Sequence, residues 1–255
     1  MGLHVRRSGT VATVELSNPG RRNALSADMF ADLARMLPEL DDDPGVRVVV
    51  LTGAGEDFCS GADLSAVSDD AHPLGHMNRI NRAAAAVHRM SVPTVARVDG
   101  VAVGAGLNLA LACDLVVASD RARFSEIFVR RGLTVDFGGS WILPRLVGLH
   151  RAKELCLLGD VVPAADAAAM GLVNRVVPVA ELDATVDGIT TRLAAGPAVA
   201  MALTKRLLNE GGRSGVDEAL DAEGIAQSIA LRGADAAEAF EAFRDKRTAR
   251  FTETL

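Results

Sequence analysis

The sequence predicts an α/β core followed by a helical C-terminal quarter. Three observations carry this: continuous β-branched runs such as Val46 to Leu51, helical patterns between such runs, and an unbroken series of helical patterns beyond about residue 180. The N-terminal residues begin directly in strand-like alternation, and Val11 to Leu16 continue it. Ser26 stands where a helix N-cap belongs, ahead of Met29, Phe30, Leu33, Met36, Leu37 and Leu40 at helical spacing. Pro44-Gly45 breaks the chain before Val46 to Leu51, a run of the kind buried on both faces. A second unit follows, with a helix from about Gly75 to Met90, then Pro93 and a strand from Thr94 to Val98. The third has a glycine-rich turn from Gly100 to Gly106, a small-residue helix through Ala112 and a strand from Leu115 to Ala118. Beyond these, Glu181 to Ala194, Ala198 to Leu208, Val216 to Leu231 and Ala234 to Arg244 read as helices separated by Gly196-Pro197, Gly211-Gly212 and Gly233. Short helices with apolar faces need something to pack on, and a neighbouring subunit is the expected partner.

Composition narrows the function. The chain has 255 residues, 27 Lys+Arg against 33 Asp+Glu, a net charge of -6 and 49% hydrophobic residues, enough for one substantial domain and too apolar for disorder. With a pI near 5.4 and no run of Lys/Arg longer than two, nothing marks a nucleic-acid partner. The longest uncharged stretch, Gly100 to Cys113, contains Asn108 and three glycines and is too short to span a membrane. The N-terminus shows no apolar signal core, so a cytoplasmic location is expected. Cys59, Cys113 and Cys156 are odd in number and far apart, which suits buried small residues rather than a disulfide framework or a metal site.

Two segments combine glycines with strand-to-helix transitions: Phe58 to Leu64 (FCSGADL) and Asp99 to Asn108 (DGVAVGAGLN). Each suits either a tight, closely packed turn or an unpaired backbone N–H, and two such donors converging would form an oxyanion hole. Gly104-Ala105-Gly106 is not a dinucleotide fingerprint, since no acidic ribose ligand follows at the required distance.

Arg22-Asn23-Ala24-Leu25, FCSGADL, DGVAVGAGLNLALACD, Gly138-Gly139-Ser140 with Pro144 to Gly148, Gly159 and the closing Phe243 to Arg247 together resemble the crotonase, or enoyl-CoA hydratase/isomerase, superfamily. The resemblance covers nearly the whole chain. It implies a crotonase spiral of ββα units over residues 1–195 and a helical trimerisation region over 196–255, giving homotrimers or hexamers. It also implies an acyl-CoA thioester as substrate, with no further cofactor and no metal. The N–H groups of Ser60 and Ala105 are expected to hold the thioester oxygen. Arg22, Ala24 and the run Ser60, Gly61, Ala62, Asp63 and Leu64 are expected along the CoA, with Phe243 and Lys246 reaching it from the C-terminal helix across a subunit boundary.

The family's hydratases use two glutamates to orient and split water, and here the matching positions are Asn108 and Phe128. Both are expected to line the acyl pocket without titrating. Glu126 lies two residues before Phe128 and would replace the missing acid only through a shifted backbone. The acid the sequence does supply is Asp136, placed as in the epoxyphenylacetyl-CoA isomerase type. One base suffices to carry a proton between two carbons, so a double-bond shift from 3-enoyl-CoA to 2-enoyl-CoA, or a related ring isomerisation, is the expected reaction. Asp136 equally suits a helix N-cap, and Leu133, Val135, Phe137 and Phe128 are expected to wall it in. The alternatives are a hydratase of unusual active site, an aryl-CoA dehalogenase using His88 or His76, and a silent acyl-CoA binder. Residues 65–90, including Asp69-Asp70 and the small side chains Ala83 to Ala86, are expected to form the acyl-pocket wall.

Overall fold

A computed structural model of the chain describes residues 1–66 and 72–255. Asp69 and Asp70 lie outside the described residues. The elements in chain order are β1 (Gly2–Ser8), β2 (Val11–Ser17), α1 (Ala27–Asp41), β3 (Val48–Gly53), α2 (Pro73–His88), β4 (Thr94–Val98), β5 (Val101–Val103), α3 (Ala105–Leu111), β6 (Leu115–Ser119) and β7 (Arg123–Ser125). They continue through α4 (Gly139–Val147), α5 (Leu149–Leu158), β8 (Val162–Pro163), α6 (Ala164–Ala169), β9 (Arg175–Val177), α7 (Leu182–Ala194), α8 (Ala198–Gly211), α9 (Val216–Ala230) and α10 (Ala234–Arg244).

The larger sheet has the order β1-β2-β3-β4-β6-β9, parallel apart from the β1/β2 hairpin. The smaller has the order β5-β7-β8 and is lengthened by a parallel bridge between Cys59 and Ala102. Successive turns of the chain therefore leave the large sheet at β3, β4 and β6 and visit the small one near Cys59, at β5 and at β7; the first two return through α2 and α3, and the third passes through α4 and α5 to β8 of the small sheet before α6 leads back to β9. This is the crotonase spiral of ββα turns.

The sequence logic is visible element by element. Ser26 accepts the Met29 N–H and so starts α1, whose Met29, Phe30, Leu33, Leu37 and Leu40 enter the main core. Every residue of β3 is buried, as expected of a run covered on both faces. One cover is the main core; the other is a smaller cluster in which Leu182 and Val186 of α7 pack on Val48, Val50, Val95 and Val117. The glycine-rich turn departs from expectation by holding a strand of its own, β5, inside it.

α8 is tied to the core, with Lys205 donating to the Val92 carbonyl and pairing with Asp114 at 2.7 Å. α9 buries only Ala226, while Leu220, Ile225 and Ile229 on α9 and Phe240 and Phe243 on α10 remain exposed. No helix among the described residues is long and apolar enough to cross a membrane.

Candidate active site

The run from Cys59 to Asp63 is sandwiched between the 21–25 loop and β5–α3, and peptide planarity decides which way each N–H faces. The Cys59 carbonyl accepts the Val103 N–H at 3.0 Å, so the Ser60 N–H at the other edge of that peptide points the opposite way and donates to the Arg22 carbonyl at 2.9 Å. Ser60 is thereby corrected as an oxyanion donor. Its hydroxyl is also committed, to the Arg21 carbonyl.

One peptide further on the direction reverses. The Gly61 carbonyl accepts the Leu25 N–H at 2.8 Å, so the Ala62 N–H points away from Leu25. On that side lie Val103 and Ala105: a Cβ on Gly61 would stand 2.9 Å from the Val103 oxygen and 3.9 Å from the Ala105 nitrogen. Gly61, at φ 103, is the residue that lets the chain turn there. Among the described residues the Ala62 N–H donates to no carbonyl. Ala105 is the first residue of α3. The Gly104 carbonyl accepts the Asn108 N–H at 3.0 Å, leaving the Ala105 N–H facing out of the helix end. Gly106 brings α3 against the Cys59 segment, where any Cβ would meet the Cys59 oxygen at 2.5 Å. The two unpaired donors are therefore Ala62 and Ala105.

Below them the structure gathers three polar side chains. Asn108, fully buried, donates from Nδ2 to the Asp136 carbonyl at 3.0 Å and towards Glu126 Oε2 at 3.4 Å. Gly139 gives it room, since a Cβ there would lie 2.5 Å from Nδ2. Asn108 Oδ1, Glu126 Oε1 and Asp136 Oδ1 are all buried with no hydrogen-bond partner among the described residues. Burial pushes the Asp136 carboxyl up to about 6, and nothing pulls it down. Asp136 does not cap α4, whose N-cap is Gly138 in the left-handed region.

Glu126 reaches the cluster at its Asn108 contact but, fully buried, does not take the place of the missing hydratase acid. Its side chain has no accessible surface, and burial, reinforced by the charge on Asp136, raises it to about 8 against the opposing hydrogen bond from Asn108. Glu126 thus holds its proton the more firmly, and Asp136 is the acid of the pair that ionises first. Phe128 is buried over Gly104, as expected for a pocket wall. Leu133 is half exposed, while Phe137 is buried in the core against Phe30.

The remaining expected residues divide. Arg22, in the left-handed region, projects its side chain to the surface near Asp57, and its neighbour Asn23 pins the loop by donating to the Ala54 and Asp57 carbonyls. Ala24 is buried behind them. Asp63 turns its carboxylate onto Ser65, whose hydroxyl and N–H hold it below the usual carboxylate range, while Leu64 is exposed. Phe243 and Lys246 sit at the end of α10, and among the described residues no hydrogen bond or ion pair joins them to the 22–64 segment. His88 packs edge-on to Trp141 at 5.0 Å, rather than standing on the surface.

A spiral of ββα turns with two backbone donors above a buried carboxyl matches what comparison with known proteins returns. The sequence model of the enoyl-CoA hydratase/isomerase family matches residues 6–254, and the chain belongs to that family. It is 36% identical to the 1,2-epoxyphenylacetyl-CoA isomerase of Escherichia coli K12, over 98% of this chain and 97% of that protein. It is 34% identical to the short-chain-enoyl-CoA hydratase of Clostridium acetobutylicum, over 95% and 94%. Among solved structures, an enoyl-CoA hydratase from Mycobacterium smegmatis superposes with a TM-score of 0.93 at 33% identity, covering 98% of both chains. One from Polaromonas sp. JS666 gives 0.93 at 31%, covering 99% of this chain and all of that one.

Proposed function

We propose that the chain is an acyl-CoA isomerase that moves a double bond from the 3- to the 2-position, with Asp136 as the proton shuttle. In this reading the N–H groups of Ala62 and Ala105 hold the thioester oxygen. Ionised Asp136 takes a proton from C-2 of the 3-enoyl thioester, the electron pair passes into a dienolate whose oxygen the two donors stabilise, and the same carboxyl returns the proton at C-4. Fixed donors at a developing oxyanion are worth about 3–4 kcal/mol each in a water-poor site. Arg22 and the edge of the Ser60 to Leu64 run would border the CoA.

The observation that carries the choice of isomerisation over hydration is the contrast between the two acids. The site does contain a second carboxyl, contrary to the reading that Asp136 stands alone. Glu126, however, has no accessible surface with which to touch a water molecule, whereas Asp136 is partly accessible. Of the two acids in this cluster, Asp136 is therefore the one placed to exchange protons with a bound ligand. The relative named as an isomerase favours the same choice, and the relatives named as hydratases define the competing one. The test compares conjugation of a 3-enoyl-CoA, followed by ultraviolet absorbance, with hydration of crotonyl-CoA. Isomerisation is expected to be the faster; faster hydration would give the site to Glu126 and Asp136 as a water-splitting pair. The apolar faces of α9 and α10 further support assembly into trimers or hexamers, which light scattering would read as a mass of three or six chains.

A further inference from the structure

The stripe of α3 that carries Ala105 and Asn108 runs on to Ala112, where a cavity of about 480 Å³ opens. At a rise of about 1.5 Å per residue, Ala112 lies about 10 Å beyond the Ala105 donor. The cavity is walled by Ala84 and Ala85 of α2, by Ala112, and by Phe137 and Trp141. Phe137 directly follows Asp136, and Ala112 stands on the same stripe of α3 as Ala105 and Asn108, so the space adjoins the acid site on the side away from the oxyanion donors.

Its far end is not apolar. Arg145 and Arg213, both exposed to solvent, line it, with their guanidinium carbons 4.1 Å and 5.8 Å from the centre of the Trp141 ring. Neither forms an ion pair with a carboxylate among the described residues, and no Asp or Glu occurs in α2, α3 or α4, which supply most of the wall. His88, the other ionisable residue of the lining, has its pKa lowered by burial and by the nearby Lys205 and Arg213, so it adds no charge at neutral pH. In a protein of net charge -6, two guanidiniums without carboxylate partners among the described residues, grouped about the Trp141 ring beside an apolar space, form a receptor for a planar anion.

We propose that this cavity is a distal acyl subsite that selects acyl-CoA substrates bearing a carboxylate at the far end of the acyl group, held by Arg145 and Arg213. The inference rests on the acyl-CoA reading given above but not on the reaction catalysed. It is tested with two saturated, unreactive probes whose extended acyl chains exceed the ~10 Å from thioester to cavity: dodecanoyl-CoA and the CoA monothioester of the twelve-carbon dicarboxylic acid. Calorimetry on the full chain is expected to show the carboxylated probe binding about tenfold tighter, with Arg213→Gln and Arg145→Gln each lowering that ratio severalfold. Equal binding of the two probes, or an unchanged ratio in both variants, overturns the subsite while leaving the acyl-CoA reading intact. Failure of both probes to bind overturns the acyl-CoA reading as well.

Discussion

Replacing Glu126 by Gln should make the protein's stability less dependent on pH. The folded chain holds the Glu126 proton up to about pH 8, whereas the unfolded chain releases it near the ordinary glutamate value. Between those values the folded state binds more protons, so stability falls as pH rises, by about 1.4 kcal/mol per pH unit for this one group. From pH 5.5 to pH 8 the loss is about 3 kcal/mol. Gln keeps the shape and can still accept from Asn108, but it has no proton to lose. Urea unfolding of both proteins at the two pH values measures the difference. The wild type is expected to lose about 3 kcal/mol more than Glu126→Gln over the interval. Equal losses would refute the assignment of Glu126 as a protonated, buried acid.

Two further outcomes follow from the same geometry. The value of kcat/KM for isomerisation should rise with pH through about 6 as Asp136 ionises and fall above about 8 as Glu126 gains a charge beside it; in Glu126→Gln the alkaline limb should vanish while the acid limb stays. Ala105→Pro deletes one oxyanion N–H at a helix position that accepts proline, so it should cost about 10²–10³ in kcat with the circular dichroism spectrum unchanged; near-native turnover would remove Ala105 from the site.

Much of the scaffold was legible because it depends on residue type and period. The β-branched run at β3, the Ser26 cap and the breaks at Gly196-Pro197 and Gly233 each leave a local signature, and the helices they delimit lie where the pattern puts them. The acid chemistry was half legible. Asp136 was singled out through the family resemblance, as an acid standing where the isomerase type carries one, and its alternative role as a helix cap was excluded only by the left-handed Gly138. The donor at Ala62 was not legible, since any residue carries an N–H and only the hydrogen bonds on either side of Gly61 show that it faces inward while that of Ser60 faces Arg22. Glu126 was underestimated because its inward direction is set by the bend between β7 and the short 3₁₀ turn at Ile127–Arg131. The one available hint was a charged residue between Phe124 and Phe128, both of which are buried.

The most direct test of the central claim is the isomerisation rate of Asp136→Asn, measured beside the affinity of the same protein for a saturated acyl-CoA. Removing the accessible acid of the Asn108–Glu126–Asp136 cluster should lower kcat by about 10²–10⁴, while the affinity changes little because the CoA and oxyanion contacts are made by other residues. Turnover within a few-fold of the wild type, with binding intact, would contradict the account and return Asp136 to a purely structural role.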